Sequence, residues 1–572
     1  FFLKNTIVFF KGRAAMLSLA SIPHFARNAR RFREIAGVLA RYGLAEFLAA
    51  TDPAFLKDLL VSPSGASLAT LTREERLRLA LTELGGTAVK LGQILSTRAD
   101  LVGPELAAEL SKLRADTEPD PPEAVERTVR EALGAPVEEL FESFDPVPMA
   151  SASIGQVHRA RLADGTAVVV KVRHAGIEER VRADLDILMG LAELAERGVV
   201  ELRLYQPLAV ATEMRRTILR ELDFVREERN LRHFAANFAS EPGVAFPRPY
   251  PERCAREVLT MEELVGQPLS RLAGELSPEA AARRTAMARL AADVFLEMIF
   301  RDNFFHADPH PGNLLVLPGD RLGILDCGMV GRIDERTRRA MEDALLAVAE
   351  GDAEGLTEQV MRIGRLPPGL DRAALRADVE DFVADYASQE LGAFDLGGAM
   401  ADVAAIVRRH GILLPPVVAH LIKVFVVLEG ASRTLSPGFS LIDVIAPYAG
   451  KIIARRLSPG ALFTRARRSW RDWNALVESF PRDAAEILRR AREGRLDVHL
   501  VHRGLDATIN RLVYGIVTAA LFLGSCQVLA SRVPPLVFDI SLFGALGCAA
   551  AVLLGLKLLR AVKRSGELGP DA

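Results

Sequence analysis

The spacing of apolar residues changes along the chain. Up to about residue 140, and again beyond residue 334, apolar positions recur every three or four residues, which predicts amphipathic helices. Between these regions, short β-branched runs bounded by turn residues predict strands. The predicted strands are 141–149, 155–162, 166–172, 245–249 and 256–261. Helical spacing over about 178–239 and 268–301 separates them, so the pattern favours an α+β protein.

Local signals mark where some elements begin. Thr72 and Glu75 have the spacing of a capping box, which predicts the start of a helix that runs through the eighties. Asp334 is a candidate N-cap for the first helix of the later helical region. The Pro/Asp-rich segment 116–122 is the clearest boundary in the first half of the chain.

Two long uncharged runs lie near the end of the chain. Residues 512–530 would span ~29 Å as a helix, about the thickness of the hydrocarbon core of a bilayer. Residues 540–556 form the second run, which Asp539 precedes. A hairpin buried in a soluble core is the alternative, but the lengths favour a membrane hairpin. Basic residues flank its outer ends, and by the positive-inside rule both ends then face the cytoplasm. These residues are Arg503, Arg511, Lys557, Arg560, Lys563 and Arg564.

Composition narrows the classes of function. The 572 residues allow two or three domains, and the formal net charge of −2 gives no reason to expect nucleic acid as a partner. The four cysteines are widely spaced and form no paired metal motif. Such usage fits a reducing compartment better than a disulfide scaffold.

The strongest chemical signal lies between residues 306 and 328. Asp308 is followed five positions later by Asn313, and Asp326 begins an Asp-Cys-Gly motif after a predicted hairpin turn at 318–320. Phosphoryl transfer needs a carboxylate near the acceptor and oxygen ligands that hold Mg²⁺ on the phosphates, and kinase-like folds provide them in this pattern. His306 and His310 could bind a metal, but without a third ligand they are expected to order the loop.

Two upstream features suit nucleotide phosphates. The apolar strand at 168–172 carries a single lysine, Lys171, in the setting of a lysine that holds ATP phosphates. Helical patterning places Glu227 where its ion-pair partner would lie. Residues 150–153, Ala-Ser-Ala-Ser, stand where a Gly-rich phosphate loop is expected, and small residues allow close approach to phosphates.

Taken together, these motifs resemble the ABC1/ADCK/COQ8 family, also called the UbiB family of atypical kinases. Residues 90–93, Lys-Leu-Gly-Gln, resemble its KxGQ signature, although alone they could be an ordinary helical turn. Residues 150–153 resemble its Ala-rich nucleotide loop, and residues 221–223, Glu-Leu-Asp, match its ExD motif. The runs 306–313 and 326–328 match its catalytic and metal-binding motifs. The resemblance covers roughly 30–440, and the C-terminal hairpin is similar to that of bacterial members.

The resemblance implies an α+β, atypical bilobal protein-kinase-like fold with an N-terminal helical extension and a C-terminal two-helix transmembrane hairpin. It places the extension at 1–118, the N-lobe at 119–265 and the C-lobe at 266–450. A helical linker at 451–510, the hairpin at 511–557 and a basic tail at 558–572 would complete the chain.

The resemblance also implies roles for particular residues. The expected catalytic residues are Asp308, Lys171 and Glu227, and the expected Mg²⁺ ligands are Asn313 and Asp326. The expected nucleotide-binding residues are Ala150, Ser151, Ala152, Ser153, Lys171 and Glu262. The residues expected to cover and restrain the site are Lys90, Gln93, Glu221 and Asp223. Departures from the family pattern at Ser151, Cys327 and His174 are small, and the last two are interpreted as neutral.

Three functions remain open. The first is a membrane-anchored atypical kinase or ATPase that uses ATP and Mg²⁺ at the bacterial inner membrane and supports ubiquinone or other isoprenoid quinone biosynthesis. Its partners would be a quinone precursor or another lipid, and proteins of quinone biosynthesis. The second is a nucleotide-gated, lipid-binding scaffold. The third is a Ser/Thr protein kinase, which is disfavoured because Ala307 replaces the usual arginine and little chain separates Asp326 from the candidate N-cap Asp334.

Overall fold

The computed structural model describes most of the chain in two compact units, Phe1–Ser458 and Pro459–Ala572. The described residues are 28–44, 71–113, 117–198, 206–274, 277–367, 369–387, 395–445, 447, 448, 450, 505–537 and 540–564. The predicted linker up to residue 504, the tail beyond residue 564, Arg503 and Asp539 lie outside these residues.

Helices make up most of the first unit. In the N-terminal extension and the N-lobe they are Ala29–Arg41, Arg73–Leu84, Gly86–Ser96, Ala99–Val102, Pro104–Leu110, Pro122–Leu133, Val137–Leu140, Ile177–Gly198, Pro207–Glu221 and Phe224–Asn237. Further along the chain they are Leu269–Leu272, Pro278–Phe300, Glu335–Glu350, Ala353–Ile363, Arg372–Ala387, Leu396–Arg409 and Pro416–Leu435. Short 3-10 turns cover Pro251–Arg253 and Pro311–Asn313.

A five-stranded antiparallel sheet forms the N-lobe. Its strands are β1 (Ser143–Phe144), β2 (Ala150–Ser151), β3 (Gly155–Arg161), β4 (Ala167–Arg173) and β6 (Val258–Glu262). The order is β1-β3-β4-β6. β1 pairs with the end of β3, and β2 pairs with its beginning. The predicted hairpin is confirmed, since β3 and β4 pair around a turn that contains Gly165 at φ +81°. The central β4 is buried along its middle, as its valine run requires.

The prediction of one strand over 141–149 is wrong. The structure has only the two-residue β1 there, followed by a loop that leads to β2. Pro146 and Pro148 lack the backbone N–H that a ladder needs, so the pairing with β3 is interrupted between Phe144 and Ala150.

Two further small sheets pack against helices. Their strands are β5 (Val244–Ala245), β7 (Gln267–Pro268), β8 (Phe304–His306), β9 (Leu314–Leu317), β10 (Arg321–Ile324) and β11 (Val330–Arg332). One sheet has the order β5-β10-β9-β7, and the other pairs β8 with β11. The predicted turn between β9 and β10 is confirmed, with positive φ at Gly319 and Asp320. Buried residues of the Pro278–Phe300 helix pack with these strands in one hydrophobic core.

Both predicted helix starts are confirmed. Thr72 and Glu75 exchange hydrogen bonds with each other's backbone N–H in a capping box. The carboxylate of Asp334 accepts a hydrogen bond of 2.8 Å from the backbone N–H of Thr337. The Glu335–Glu350 helix therefore begins soon after Asp326, which leaves little chain for a peptide-binding platform.

The second unit contains an antiparallel pair of apolar helices. They are Leu505–Ala530 and Leu542–Arg564, joined through the short strands Leu536–Val537 and Ile540–Ser541. Leu512–Ala530 and Leu542–Leu559 are long and apolar enough to cross a membrane, with mean hydropathies of 1.9 and 2.1. Only 6% and 11% of these windows are buried, whereas a core hairpin of a soluble protein would be mostly buried. Both helices are candidate membrane spans.

Candidate active site

Lys171 and Glu227 form a buried ion pair between the sheet and a helix. Nζ of Lys171 on β4 lies 2.8 Å and 3.1 Å from the two carboxylate oxygens of Glu227 on the Phe224–Asn237 helix. The same ammonium lies 3.6 Å from Oδ1 of Asp326. Three of the predicted site residues, which lie far apart in the sequence, therefore meet at one point.

Burial and charge shift the pKa values of these groups. Burial alone would lower the pKa of Lys171, but the carboxylates of Asp326 and Glu227 outweigh it and hold that pKa above its usual value. Lys171 is the main reason that the pKa of Asp326 lies well below its usual value. Burial raises the pKa of Glu227. The cluster therefore keeps a charged ammonium and a charged Asp326 in the cleft, as binding of phosphates and a cation requires.

His306 joins the catalytic loop to the Asp326 motif. The backbone N–H of Asp308 donates to Nδ1 of His306, and Nε2 lies 2.8 Å from the carbonyl oxygen of Asp326. Since Nδ1 accepts, Nε2 carries the proton and donates to that carbonyl, which assigns one neutral tautomer. The side chain is fully buried. His306 therefore orders the loop, as expected, and within the described residues no group of three or more His, Cys, Asp or Glu residues could hold a metal.

Asn313 is oriented by the same loop. Its amide nitrogen donates to the carbonyl oxygen of Asp308 at 3.3 Å, so the amide oxygen is the atom available to a cation. Asp326 has φ +36°, a left-handed conformation that Asp tolerates better than most residues, and its Oδ1 accepts a hydrogen bond from the N–H of Gly328. An amide oxygen and a carboxylate are hard ligands that suit Mg²⁺.

Asp308 has a partner that the sequence did not suggest. Nζ of Lys423, on the Pro416–Leu435 helix, lies 3.0 Å from Oδ1 of Asp308. Burial alone would raise the pKa of Asp308, but the Lys423 charge outweighs it and holds that pKa below its usual value. Helical periodicity places Lys423 on an amphipathic helix like many other lysines, so only the tertiary structure reveals this contact.

The Ala-rich loop forms the tip of the β2–β3 hairpin. The backbone N–H of Ala152 donates to the carbonyl oxygen of Gly155, and the ring of His174 lies 2.9 Å through Nε2 from the carbonyl oxygen of Ala152. Nδ1 of His174 lies 3.2 Å from the carboxylate of Asp120. From the sequence, the departure from the family pattern at His174 is interpreted as having no effect on function. That interpretation does not account for these contacts, which tie the loop to the segment before the Pro122–Leu133 helix.

The N-terminal extension abuts this loop from the other side. A Cβ atom added at Gly86, the first residue of the Gly86–Ser96 helix, would lie 2.4 Å from the carbonyl oxygen of Ser153. Only glycine allows so close an approach. Gly92 is similarly constrained, because its Cβ would lie 2.3 Å from a methyl group of Leu113. Glycine in the KxGQ-like motif therefore permits close packing within the extension.

The structure brings together only part of the predicted regulatory set. Nζ of Lys90 lies 2.6 Å from Oε2 of Glu221, and both side chains are largely buried. Gln93 instead donates to the carbonyl oxygen of Leu113 at 3.2 Å. Asp223 is the N-cap residue of the Phe224–Asn237 helix and lies 3.9 Å from Arg226. Lys90 and Glu221 thus connect the extension to the helix that precedes the one carrying Glu227.

Glu262 ends β6 at the edge of the N-lobe. Its carboxylate accepts a hydrogen bond from the backbone N–H of Arg248, and its own N–H donates to the carbonyl oxygen of that residue. The next residue, Glu263, donates its N–H to the carbonyl oxygen of Ala167. These contacts of Glu262 are therefore with the backbone of Arg248, next to β6. Its role in nucleotide binding stays a prediction.

The residues present fit Mg-ATP. The buried hydroxyl of Ser151 has no hydrogen-bond partner within the described part of the chain, so it is available to a ligand oxygen. Lys171 offers a charged donor, and Asn313 and Asp326 offer the cation ligands described above.

Models of three protein families match successive parts of the chain. They are the ABC1 atypical kinase-like domain at residues 112–360, the UbiB helical domain at 379–440 and the ABC1/UbiB kinase-like C-terminal domain at 497–564. A protein from Aeromonas salmonicida called "Probable protein kinase UbiB" is 33% identical over 430 residues, which cover 74% of this chain and 78% of that protein. The chain belongs to the ABC1/UbiB family.

Other relatives of this UbiB-family chain align over most of its length. A Clostridium pasteurianum protein called "Uncharacterized protein in hydrogenase 1 5′region" is 30% identical and aligns over 94% of this chain and 99% of that protein. A "Probable protein kinase UbiB" from Xanthomonas campestris is 33% identical over 86% of this chain and 90% of its own. The solved structure of Rv3197 from Mycobacterium tuberculosis in complex with erythromycin is also similar. The match covers 59% of this chain and 92% of the Rv3197 chain, with 24% sequence identity and a TM-score of 0.38.

An apolar cavity of about 360 Å³ lies between the helical extension and the Ile177–Gly198 helix of this UbiB-family protein. Leu91 and Leu95 of the Gly86–Ser96 helix line it, together with side chains of the Arg73–Leu84 and Ile177–Gly198 helices. Among the described residues that line it, the charged ones are Arg31 and Asp184, whose side chains form an ion pair of 2.6 Å. The wall of the cavity and the Lys90 side chain thus belong to the same short helix.

Proposed function

We propose that the protein is a membrane-anchored atypical kinase or ATPase that binds Mg-ATP and supports the biosynthesis of ubiquinone or another isoprenoid quinone at the bacterial inner membrane. The observation that carries the proposal is the convergence of Lys171, Glu227 and Asp326 at one point. His306 links that point to Asp308, so the phosphate-binding, metal-binding and catalytic groups would share one connected framework.

Each group has a distinct part in the proposed reaction. Mg-ATP supplies the phosphoryl group and a divalent charge. Lys171, held by Glu227, would neutralise phosphate charge, and Asn313 with Asp326 would hold the cation. Asp308 would orient the acceptor hydroxyl or water and take its proton as the new oxygen–phosphorus bond forms and the bond between the γ-phosphorus and the oxygen of the leaving ADP breaks. The small side chains of 150–153 and the Ser151 hydroxyl would face the phosphates.

The C-terminal helices support the membrane part of the proposal. Their apolar surfaces are exposed along both candidate spans, and exposed apolar surface of this extent is unfavourable in water. In a bilayer the same surface would be solvated by lipid, and an anchored catalytic unit would meet substrates that are dissolved in the membrane. Quinone precursors with isoprenoid tails are substrates of that kind.

Mg-ATP binding can be tested on the full-length protein in detergent by thermal shift. A ligand at about 100 times its dissociation constant adds about 2.7 kcal/mol of stability, which raises the melting temperature. Asp326→Asn is nearly isosteric and should remove most of the shift, because the cation loses its carboxylate ligand. Asp164→Asn, in the exposed β3–β4 turn, is the matched control and should keep the shift.

The physiological part needs a cellular assay. A deletion strain should accumulate quinone intermediates, and the wild-type gene, but not the Asp326→Asn gene, should restore the normal profile. A full thermal shift together with full rescue by Asp326→Asn would contradict the proposed site and the proposed role.

The apolar cavity favours lipid binding as a second candidate function. A volume of about 360 Å³ falls in the range of small-molecule sites, and a lining with one ion pair suits a hydrocarbon tail better than a polar ligand. Leu188→Trp should fill the cavity and reduce the binding of an apolar fluorescent probe. Val147→Trp, at a surface position that is 69% exposed, is the matched control and should bind the probe as the wild type does. Equal probe binding by both variants would exclude the cavity as the site.

A further inference from the structure

The catalytic loop has no cation of its own. Residues 307–313 are Ala-Asp-Pro-His-Pro-Gly-Asn and contain no Lys or Arg. Two lysines in the cleft form ion pairs with other carboxylates: Lys171 pairs with Glu227, and Lys90 pairs with Glu221. The ammonium that contacts the carboxylate of Asp308 is that of Lys423, at 3.0 Å and 115 positions further along the chain.

Lys423 is held in place by a rigid support. Leu421, Val424 and Leu428 on the same helix are buried in the core that also contains Phe305 and Ala307, immediately before Asp308. The Lys423 side chain is 19% exposed, and that of Asp308 is 36% exposed. The packed helix fixes the backbone of Lys423, and most of its side chain is buried, so the contact can fix the direction of the carboxylate.

The start of that helix is tied to the N-terminal extension. Arg98, just after the Gly86–Ser96 helix, donates to the carbonyl oxygen of Leu414 at 3.4 Å and pairs with Asp100 at 2.8 Å. Its side chain is 5% exposed, so this is a buried connection. Lys423 and Arg98 both lie outside the segment matched by the kinase-like domain, so two regions beyond that segment contribute to the position of Lys423.

We propose that Lys423 is a positioning residue of the active site, which holds the Asp308 carboxylate in the orientation that the reaction needs. The helical domain at 379–440 thereby becomes part of the active site rather than a separate module. This inference rests on the proposed function, because it assigns Lys423 to the same phosphoryl-transfer reaction. A misplaced catalytic group can cost about 100-fold in rate while ligand binding is preserved.

The test uses the full-length protein and its ATP turnover. Lys423→Met keeps the apolar stem and removes the charge, and it should lower kcat by at least about tenfold while KM and the Mg-ATP thermal shift stay near their wild-type values. Lys423→Arg keeps the charge and should restore most of kcat. Lys112→Met, whose side chain is 62% exposed, is the matched control and should behave as wild type.

A second pair of variants separates positioning from a general effect of charge. In an Asp308→Asn background, Lys423→Met should lower kcat no further, because the group that it positions is already altered. A wild-type kcat in Lys423→Met, or a further loss in the Asp308→Asn background, would overturn the inference while the proposed function stands. A wild-type protein without Mg-ATP binding or turnover would overturn both.

Discussion

Gly86→Ala tests the contact between the extension and the nucleotide loop. The added methyl would lie 2.4 Å from the carbonyl oxygen of Ser153, so the helix or the loop must shift by nearly 1 Å to reach an ordinary contact. In an unhindered helix, Ala would stabilise by about 0.5–1 kcal/mol relative to Gly. Overpacking costs about 1–3 kcal/mol, so the expected net effect is a destabilisation of about 0–2.5 kcal/mol.

Nucleotide binding should change more than stability does. A displacement of the 150–153 loop by nearly 1 Å would misplace its groups against the phosphates, and the dissociation constant for Mg-ATP should rise about tenfold or more. Gly430→Ala is the matched control, because Gly430 is also helical but, among the described residues and apart from its own stretch of helix, no heavy atom lies within 4 Å of its added Cβ. That variant should be slightly stabilised and bind Mg-ATP normally.

The test is isothermal titration calorimetry of the two variants with Mg-ATP, which gives the dissociation constants, together with their melting temperatures. If Gly86→Ala binds Mg-ATP as tightly as Gly430→Ala and is stabilised to the same extent, the extension does not abut the loop in solution. In that case the reasoning from the Gly86 contact is refuted.

Three further predictions concern other parts of the molecule. Burial, with the charges of Lys423 and Arg98, lowers the pKa of His420 to about 4, so the unfolded chain binds a proton that the folded chain rejects. The free energy of unfolding should therefore fall by on the order of 1–3 kcal/mol as the pH falls from about 6.5 to about 4. Over the same pH range, the melting temperature of His420→Gln should fall less than that of the wild type. A variant whose melting temperature depends on pH as the wild type's does would contradict this. Lys90→Met combined with Glu221→Met should raise ATP turnover and keep Mg-ATP binding, because the buried restraint is removed without leaving an unpaired charge; unchanged turnover would exclude a restraining role. Removal of residues 505–572 should release the protein from carbonate-washed membranes and impair quinone synthesis, and a truncated protein that still pellets and fully rescues would refute the anchor.

The sequence predicted the parts of the fold that local chemistry controls. The β3–β4 hairpin, the Thr72 capping box and the Asp334 N-cap all depend on residues close together in the chain, and all three are present. The strand predicted at 141–149 is reduced to Ser143–Phe144, because two prolines interrupt the pairing that the apolar pattern predicts.

Contacts between distant residues were harder to predict. The resemblance anticipated that Lys171 and Glu227 would pair, since their motif positions carry that information. No local pattern distinguishes Lys423 from a solvated lysine or Gly86 from an ordinary helix glycine. The contact of Gln93 could not be predicted either. Its side chain donates to the backbone carbonyl oxygen of Leu113, and every residue type has such a carbonyl, so the sequence does not identify the partner.

The long separation between Asp308 and Lys423 has a consequence for the protein as it is made. At about 5–20 residues per second, a ribosome needs roughly 6–23 s to extend the chain over the 115 positions between them. Throughout that interval the nascent chain has its Ala-rich loop and its catalytic loop but lacks the lysine that contacts Asp308. If Lys423 positions Asp308 as proposed, a nascent chain that has not yet reached Lys423 has an incomplete catalytic centre, and the order of synthesis delays activity until the helix that begins at Pro416 has been made.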